Sequence, residues 1–223
     1  MAATFAQVSA IEKQALLDLY IATQGEDWTS TWDTNEAVEH WKGITVDNDH
    51  IVGISLLFNN MEGELPASLG DLTHLRVLEL SFNRISGALP ESLGNLINLE
   101  VLAFNGNNLS GSIPTNFENL SSLKQLHLSS NKLSGTIPNA IGNLEFIEVF
   151  NVFDNQLVGE IPSGLAHHRN LRELMVAENS LTSSEEFSAI LLSNSGSRVD
   201  FKQPALSPGA KTIIAIETSD DEN

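Results

Sequence analysis

The sequence predicts an α/β solenoid: a right-handed coil with a parallel β-sheet on its concave side, a 3-10 or irregular convex side and a helical N-terminal cap. Three observations predict this fold. Similar stretches recur along the chain, such as NRISGALPESLGNL from Asn83 and NKLSGTIPNAIGNL from Asn131. Asparagines recur every 24 residues from Asn59 to Asn179, and apolar residues recur in phase with them. Periods of about 20–50 residues are typical of stacked repeats that share one core.

Residues 1–50 are predicted to form the N-terminal cap, a helix followed by a tryptophan-rich segment. The stretch SAIEKQALLDLYIATQG has the pattern of an amphipathic helix. Ser9 and Glu12 match a capping box at its start, and Gly25 is expected at its end. The cap is therefore predicted to begin with a helix.

Residues 51–192 are predicted to form six repeats of 24 residues, each of them one coil. Apolar residues stand five and three positions before each asparagine, and this spacing of two predicts a short strand with both side chains in the core. The asparagine amides are expected to satisfy backbone groups where each strand bends away. The column five positions before the asparagine is Ile54, Leu78, Leu102, Leu126, Phe150 and Leu174. The column three positions before it is Leu56, Leu80, Phe104, Leu128, Val152 and Val176.

The repeated pattern L-x-x-L-x-L-x-x-N-x-L-S-G-x-I-P-x-x-L-G-N-L resembles the plant-type leucine-rich repeat of polygalacturonase-inhibiting proteins, plant receptor-kinase ectodomains and related bacterial proteins. The resemblance implies a side strand at each G-x-I-P element. Plant members usually carry two cap cysteines, where His40 and Val46 stand here, and this chain has no cysteine. Packing of the tryptophans at positions 28, 32 and 41 is expected to replace that disulfide. The target of the polygalacturonase inhibitors does not follow, because a fold does not determine a ligand.

The C-terminal part departs from the repeat. In the sixth copy Ser183 and Glu186 replace the glycine and the proline of the G-x-I-P element, so the side strand is expected to be lost there. The segment EEFSAILLS predicts a helix. Residues 193–217 are predicted to form a C-terminal cap, and the acidic residues 218–223 a disordered tail.

Composition excludes several classes of protein. The formal charge is −18, from 29 acidic and 11 basic side chains, and such a surface repels nucleic acid. The N-terminus lacks the apolar run of a secretory signal, and no segment approaches the ~20 apolar residues of a membrane span. The chain is expected to be cytoplasmic as written, or secreted if a signal was removed.

The predicted function is non-catalytic binding of a protein partner on the concave face, without a cofactor or a metal ion. Side chains one, two and four positions before each asparagine vary where the core columns do not, which is typical of a recognition surface on a fixed scaffold. Phe58 and Phe82 either form an exposed apolar anchor or pack into the core. The predicted ligand-binding residues are Phe58, Glu79, Phe82, Asn105, His127, Asn151, Phe153, Asp154, Met175 and Glu178.

Two other functions fit parts of this surface. A glycan-recognition module would use Asn105, His127 and Asn151 as hydrogen-bonding groups, with Phe153 for stacking. A glycosidase-like enzyme would use Asp154 and Glu178, which lie in one row at a predicted ~5 Å, although an open sheet offers no cleft for a sugar.

Two charged patterns are predicted to be structural. A row seven positions before each asparagine alternates in sign over five coils, from Arg76 to Arg172, and is predicted to keep the register between neighbouring strands. Asp47, Asn48 and Asp49 lack the ligand spacing of a calcium loop. They are predicted to form a β-turn.

Overall fold

The computed structural model describes residues 8–183, in which the chain winds through six stacked coils. The predicted C-terminal helix, the C-terminal cap and the acidic tail lie outside these residues. We number the coils 1 to 6 by their asparagines, from Asn59 to Asn179, and the strands β1 to β13 along the chain. The result is the predicted α/β solenoid, with a core that runs through all the coils.

The concave sheet is built from one short strand per coil and one strand of the cap. Its strands are β1 (Ile44–Asp47), β2 (His50–Ser55), β4 (Val77–Glu79), β6 (Val101–Ala103), β8 (Gln125–His127), β10 (Val149–Asn151) and β12 (Glu173–Met175), in that spatial order. Strands β2 to β12 are parallel, and residues 24 apart are partners, such as Leu78 and Leu102. Strand β1 pairs antiparallel with β2. Asn48 and Asp49 form the tight turn between them with φ of 47° and 67°, so the predicted β-turn is confirmed.

A second sheet runs along the side of the solenoid, as the resemblance implies. Its strands are β3 (Glu62–Glu64), β5 (Arg84–Ala88), β7 (Asn108–Gly111), β9 (Lys132–Gly135), β11 (Gln156–Glu160) and β13 (Ser180–Thr182). Hydroxyl groups bond across it to the preceding coil, for example Ser86 Oγ to the Gly63 carbonyl at 3.2 Å. This bond explains the serine of the repeated L-S-G.

The expected loss of the side strand in coil 6 is wrong. Strand β13 pairs in parallel with β11, and the Ile161 N–H donates to the Thr182 carbonyl at 2.9 Å. The strand uses backbone groups and ends before Ser183. In the other coils the glycine lies within the side strand, as Gly111 does at the end of β7 with φ of 75°. Strand β13 pairs without the equivalent residue.

The convex side consists of single helical turns, each of which follows a proline. The proline fixes φ near the helical value at the point where the chain leaves the side strand. The turns are Ala67–Asp71, Glu91–Asn95, Thr115–Asn119 and Asn139–Asn143, all 3-10, and the α-helical turn α2 (Ser163–Ala166). The predicted 3-10 convex side is confirmed.

The predicted core columns are buried in every coil. Leu78, Leu102 and Leu126 have no exposed surface, and Phe150 of coil 5 fills the same position. One further apolar column, two residues after each asparagine, is buried at 9% exposure or less from Met61 to Leu181. Because each coil lends its side chains to the space between its neighbours, no coil has a core of its own.

The asparagine amides form a ladder that joins each coil to the one before it. Asn107 Nδ2 donates to the Leu80 carbonyl of coil 2 at 3.0 Å and to the Phe104 carbonyl of its own coil at 3.1 Å. Its Oδ1 accepts the Ile85 N–H of coil 2 at 3.0 Å. The same bonds recur from Asn83 to Asn179, whereas Asn59 Oδ1 accepts the Ser30 N–H of the cap at 2.7 Å.

The cap begins with helix α1 (Ala10–Ala22), and the predicted capping box is present: Ser9 Oγ accepts the Glu12 N–H at 3.2 Å, and the Glu12 carboxylate accepts the Ser9 N–H at 3.4 Å. Short 3-10 helices follow at Gly25–Asp27 and Val38–His40. Gly25 is not the residue that turns the chain at the helix end. Gln24 takes the left-handed conformation there, while Gly25 lies directly against the Tyr20 ring, where a Cβ would collide.

Four aromatic rings hold the cap together. Trp32 stacks on Trp41 with ring centroids 4.7 Å apart and meets the edge of Trp28 at 4.9 Å. Tyr20 of α1 packs on both Trp28 and Trp32. Indole N–H groups of Trp28 and Trp32 donate to the carbonyls of Thr23 and Lys42, so the cluster fixes backbone as well as side chains. Among the described residues, no helix is long and apolar enough to cross a membrane.

We expect Asn107→Ala to lower the free energy of unfolding by about 1–3 kcal/mol, because it leaves buried backbone groups of coils 2 and 3 without partners. Asn179→Ala should cost less, since Asn179 is half-exposed and water can reach the groups it leaves. Urea unfolding at constant m-value measures both. Asn95→Ala, on an exposed convex turn, is the control, and equal losses at positions 107 and 179 would contradict the prediction.

We expect Trp32→Ala to cost about 3–5 kcal/mol, because the central ring of the cluster is lost and a cavity remains. Chemical unfolding gives the free energy, and near-ultraviolet circular dichroism reports the aromatic packing. Ile21→Ala is the matched cap variant, since Ile21 is 73% exposed on α1, and it should stay within about 0.5 kcal/mol of the parent.

Candidate functional site

The concave face consists of the side chains that alternate with the buried ones along the concave-sheet strands. In β4 the buried Leu78 lies between Val77 and Glu79, which are both half-buried and belong to the opposite face of the strand. This alternation adds a row that the sequence prediction left out, although a period of two predicts it. The row is Gly53, Val77, Val101, Gln125, Val149 and Glu173.

The residue before each asparagine forms a left-handed column. Its φ values are 52° at Phe58, 59° at Phe82, 63° at Gly106, 52° at Ser130, 54° at Asp154 and 55° at Glu178. The backbone there still pairs with the next coil, as the Phe82 N–H does with the Asn105 carbonyl at 2.7 Å. The left-handed column therefore presents one side chain per coil, each in the same backbone conformation, at a spacing of about 4.8 Å.

Phe58 and Phe82 form an exposed stack, which decides the alternative left open by the sequence. Their ring centroids are 4.5 Å apart and their planes differ by 6°. Phe58 is 66% exposed and Phe82 49% exposed, and Leu57 beside them is 41% exposed. Phe82 also lies over Gly106, where a Cβ would stand 2.8 Å from its ring. We call Leu57, Phe58 and Phe82 the apolar anchor, and of these the sequence prediction omitted Leu57.

Glu79 and His127 lie on the concave face two coils apart. The Ser55 hydroxyl donates to Glu79 Oε2 at 2.9 Å, and His127 Nε2 lies 3.2 Å from Gln125 Oε1. Burial lowers the pKa of His127, and the carboxylates of Glu173 and Glu79 offset this only in part. His127 is therefore a neutral hydrogen-bonding group at pH 7.

Asn105 and Asn151 use their amide oxygens within the protein. Asn105 Oδ1 accepts the Ser129 N–H at 2.9 Å and the Ser129 hydroxyl at 2.8 Å. Asn151 Oδ1 accepts the Phe153 N–H at 3.0 Å and so holds the half-buried Phe153 in place. Both amides present their N–H groups to a ligand more readily than their oxygens.

Asp154 and Glu178 are neighbours in the left-handed column, at the end opposite the apolar anchor. Their coils are joined by the backbone, since the Asp154 N–H donates to the Ala177 carbonyl at 3.0 Å. Met175 is half-buried in β12, the strand of the concave sheet that follows β10. Within the left-handed column, the predicted residues are thus aromatic on coils 1 and 2 and acidic on coils 5 and 6.

The row of alternating charges stands just before the short strands, at their entrance. Lys124 Nζ and Glu100 Oε2 are 2.6 Å apart on adjacent coils, which agrees with a register-keeping role. Arg76 pairs instead with Asp47 of β1, at 4.0 Å. Both pairs are exposed and contribute little to stability.

A shallow cavity of about 220 Å³ opens at this entrance, over coils 1 to 3. Its lining includes the histidines at positions 50 and 74, whose rings stack with centroids 3.5 Å apart. The sequence prediction missed this cavity. The spacing of the two histidines could have predicted that they meet, because they are 24 residues apart and therefore share one position of the repeat.

Comparison with known proteins identifies the repeat. A family model described as a leucine-rich repeat region matches residues 57–195. No curated protein gives a significant match.

One similar solved structure is the ectodomain of the Arabidopsis thaliana receptor kinase GASSHO1/SCHENGEN3, in complex with CASPARIAN STRIP INTEGRITY FACTOR 2. It is 28% identical to this chain with a TM-score of 0.72, and the alignment covers 76% of this chain and 21% of that chain. The BIR3–SERK2 complex from Arabidopsis thaliana is also 28% identical, with a TM-score of 0.64 and coverage of 77% and 95%. A plant ice-binding protein is 27% identical, with a TM-score of 0.70 and coverage of 78% and 58%. This chain therefore spans about a fifth of the first of these and somewhat more than half of the last.

We expect acid to destabilise the fold in part through His127. Because its pKa is lowered in the folded state, the unfolded chain takes up the proton first as the pH falls below the ordinary histidine value of about 6.5. Stability should therefore decrease below that pH, and less so in His127→Gln. Urea unfolding between pH 7 and pH 5 measures the difference, with His167→Gln on an exposed turn as the control. The same pH dependence in His127→Gln and the parent would contradict the prediction.

Proposed function

The chain belongs to the leucine-rich repeat family, and on that premise we propose that it is a non-catalytic scaffold that binds a protein partner on its concave face. The observation that carries the proposal is the apolar anchor. An exposed pair of stacked aromatic rings next to an exposed leucine is the kind of group that dominates protein interfaces. Single exposed apolar residues are common on protein surfaces, whereas a contiguous cluster marks an interaction site.

The backbone under the anchor strengthens this interpretation. Phe58 and Phe82 occupy the left-handed column, where a residue with a Cβ costs roughly 1–2 kcal/mol. Gly106 shows that the fold accommodates glycine at this position. Two exposed phenylalanines therefore stabilise neither the backbone nor the core, which favours a role in contact with another molecule.

The charge along the column indicates the chemistry of the partner. It runs from the apolar anchor on coils 1 and 2 to Asp154 and Glu178 on coils 5 and 6. Phe82 and Asp154 are three coils apart, about 14 Å, which an extended peptide spans in four to five residues. We propose that the partner presents an extended segment with an apolar side chain at one end and a basic side chain four to five residues away.

The family's solved neighbours are consistent with a binding role and leave the ligand open. One is in complex with CASPARIAN STRIP INTEGRITY FACTOR 2, one is the BIR3–SERK2 complex, and one is named for ice binding. Since one fold carries different ligands, the proposal depends on this chain's own surface.

Glycan recognition and glycoside hydrolysis have less support. Asn105 uses both lone pairs of its oxygen on Ser129, and so lacks the paired donor and acceptor with which an amide binds neighbouring sugar hydroxyls. Asn151 uses one lone pair on the Phe153 N–H and keeps one acceptor position. Asp154 is exposed on the open column, while hydrolysis needs a cleft that grips the sugar.

The test is selection from a displayed library of random decapeptides, followed by titration calorimetry of the selected peptides. We expect selected peptides to carry an aromatic or aliphatic residue and a basic residue four to five positions apart. Phe82→Ala should weaken their binding about tenfold or more, because anchors carry most of the interface energy. Asp154→Arg should also weaken it, by repelling the basic group.

Phe146→Ala is the matched control, because Phe146 is 47% exposed, close to the 49% of Phe82, but precedes its strand instead of following it. It should leave the affinity unchanged. Peptides that bind Phe82→Ala as tightly as the parent would refute the proposed face. Binding on a glycan array, with no peptide selected, would support the glycan alternative instead.

A further inference from the structure

Three side chains with metal-binding atoms meet where the cap joins the first two coils. They are Glu12 of α1, His50 at the start of β2 and His74 of coil 2, and their ligand atoms all lie within 4.8 Å of one another. His50 Nδ1 is 3.4 Å from Glu12 Oε1. The two imidazole rings stack at 3.5 Å with planes 14° apart. Neither the proposed binding face nor the core uses this cluster.

The donor set suits one class of ion. Two imidazoles and one carboxylate favour zinc and its neighbours among the divalent transition metals, whereas calcium and magnesium prefer oxygen ligands alone. Tetrahedral bonds of 2.0–2.1 Å place ligand atoms about 3.3 Å apart. His50 and Glu12 already lie near that separation, and a ligand atom of the exposed His74 lies within 4.8 Å of both.

The carboxylate is held in place in advance. Glu12 is buried, with 4% exposure. Ser9 Oγ donates to its Oε2 at 2.7 Å, and the Ile51 N–H donates to its Oε1 at 3.1 Å. Oε2 also accepts the Ser9 N–H, at 3.4 Å, whereas Oε1 keeps a further lone pair for an ion. Outer-shell donors of this kind orient a carboxylate ligand and tune its strength.

We propose that Glu12, His50 and His74 form a binding site for a divalent transition metal ion of the Zn²⁺ type. The ion joins helix α1 to coils 1 and 2, which are otherwise linked here by hydrogen bonds and packing. The cavity that both histidines line leaves room for water as the fourth ligand. Because the three ligands come from separate elements, binding stabilises the folded state over the unfolded one.

The test uses the whole chain and Zn²⁺ alone, by titration calorimetry and thermal unfolding. We expect one ion per chain, a melting temperature that rises with Zn²⁺ concentration, and no rise with Mg²⁺ or Ca²⁺. Loss of an outer-shell partner typically weakens a metal about 10–100-fold, so His74→Ala, which removes a ligand, should weaken Zn²⁺ at least tenfold. His50→Ala should do the same.

His74 is exposed, so His74→Ala should fold like the parent, which circular dichroism and the melting temperature without metal will verify. The matched control is His167→Ala, which removes an exposed histidine at the end of the α2 turn and should bind Zn²⁺ like the parent. Absence of Zn²⁺ binding to the parent at millimolar concentration would overturn the proposal. So would equal affinity in His74→Ala and the parent, because the ion would then lie elsewhere.

Discussion

The structure depends on the bonds that each asparagine amide makes between its own coil and the coil before it. Asn107 shows the geometry: its nitrogen bonds carbonyls of coils 2 and 3, and its oxygen accepts a backbone N–H of coil 2. The two carbonyls lie just after strands β4 and β6, where the chain bends away, and the Ile85 N–H belongs to β5 of the side sheet. Without the amide they would be buried and unpaired, at a cost of about 1–3 kcal/mol.

The ladder also separates the residues that fold the protein from those that can bind. Once the strand, the bend and the asparagine are set, the residue before the asparagine must be left-handed whatever its side chain. Phenylalanine, glycine, serine and aspartate all occur there. A surface can therefore vary along the solenoid without any change in backbone, and the same principle allows two histidines of one repeat position to meet at the cap.

Sequence periodicity predicts the fold well because most of its contacts repeat with the period. The core columns, the amide ladder and the parallel strands all follow from the spacing of residues, as does the capping box of Ser9 and Glu12.

Features that arise from one copy of the repeat alone were harder to predict. Phe58 and Phe82 could have packed inwards, and Phe82 lies instead over Gly106, whose missing Cβ leaves space for its ring. Strand β13 survives although Ser183 replaces glycine, because pairing uses the backbone. The cluster of Glu12 with two histidines joins the cap to the repeats, and the spacing of the repeats cannot predict such a contact because Glu12 lies outside them.

The reach of the asparagine amide has a consequence for the size of the molecule. Each amide bonds backbone groups 22 to 27 residues earlier in the chain and groups of its own coil. Nothing in this arrangement counts the coils, so a whole 24-residue unit could be removed or duplicated between Asn83 and Asn155 with every ladder bond re-formed. Asn59 differs because it bonds Ser30. The cap therefore fixes where the array starts, whereas the number of interior coils can change without altering the bonds within or between them.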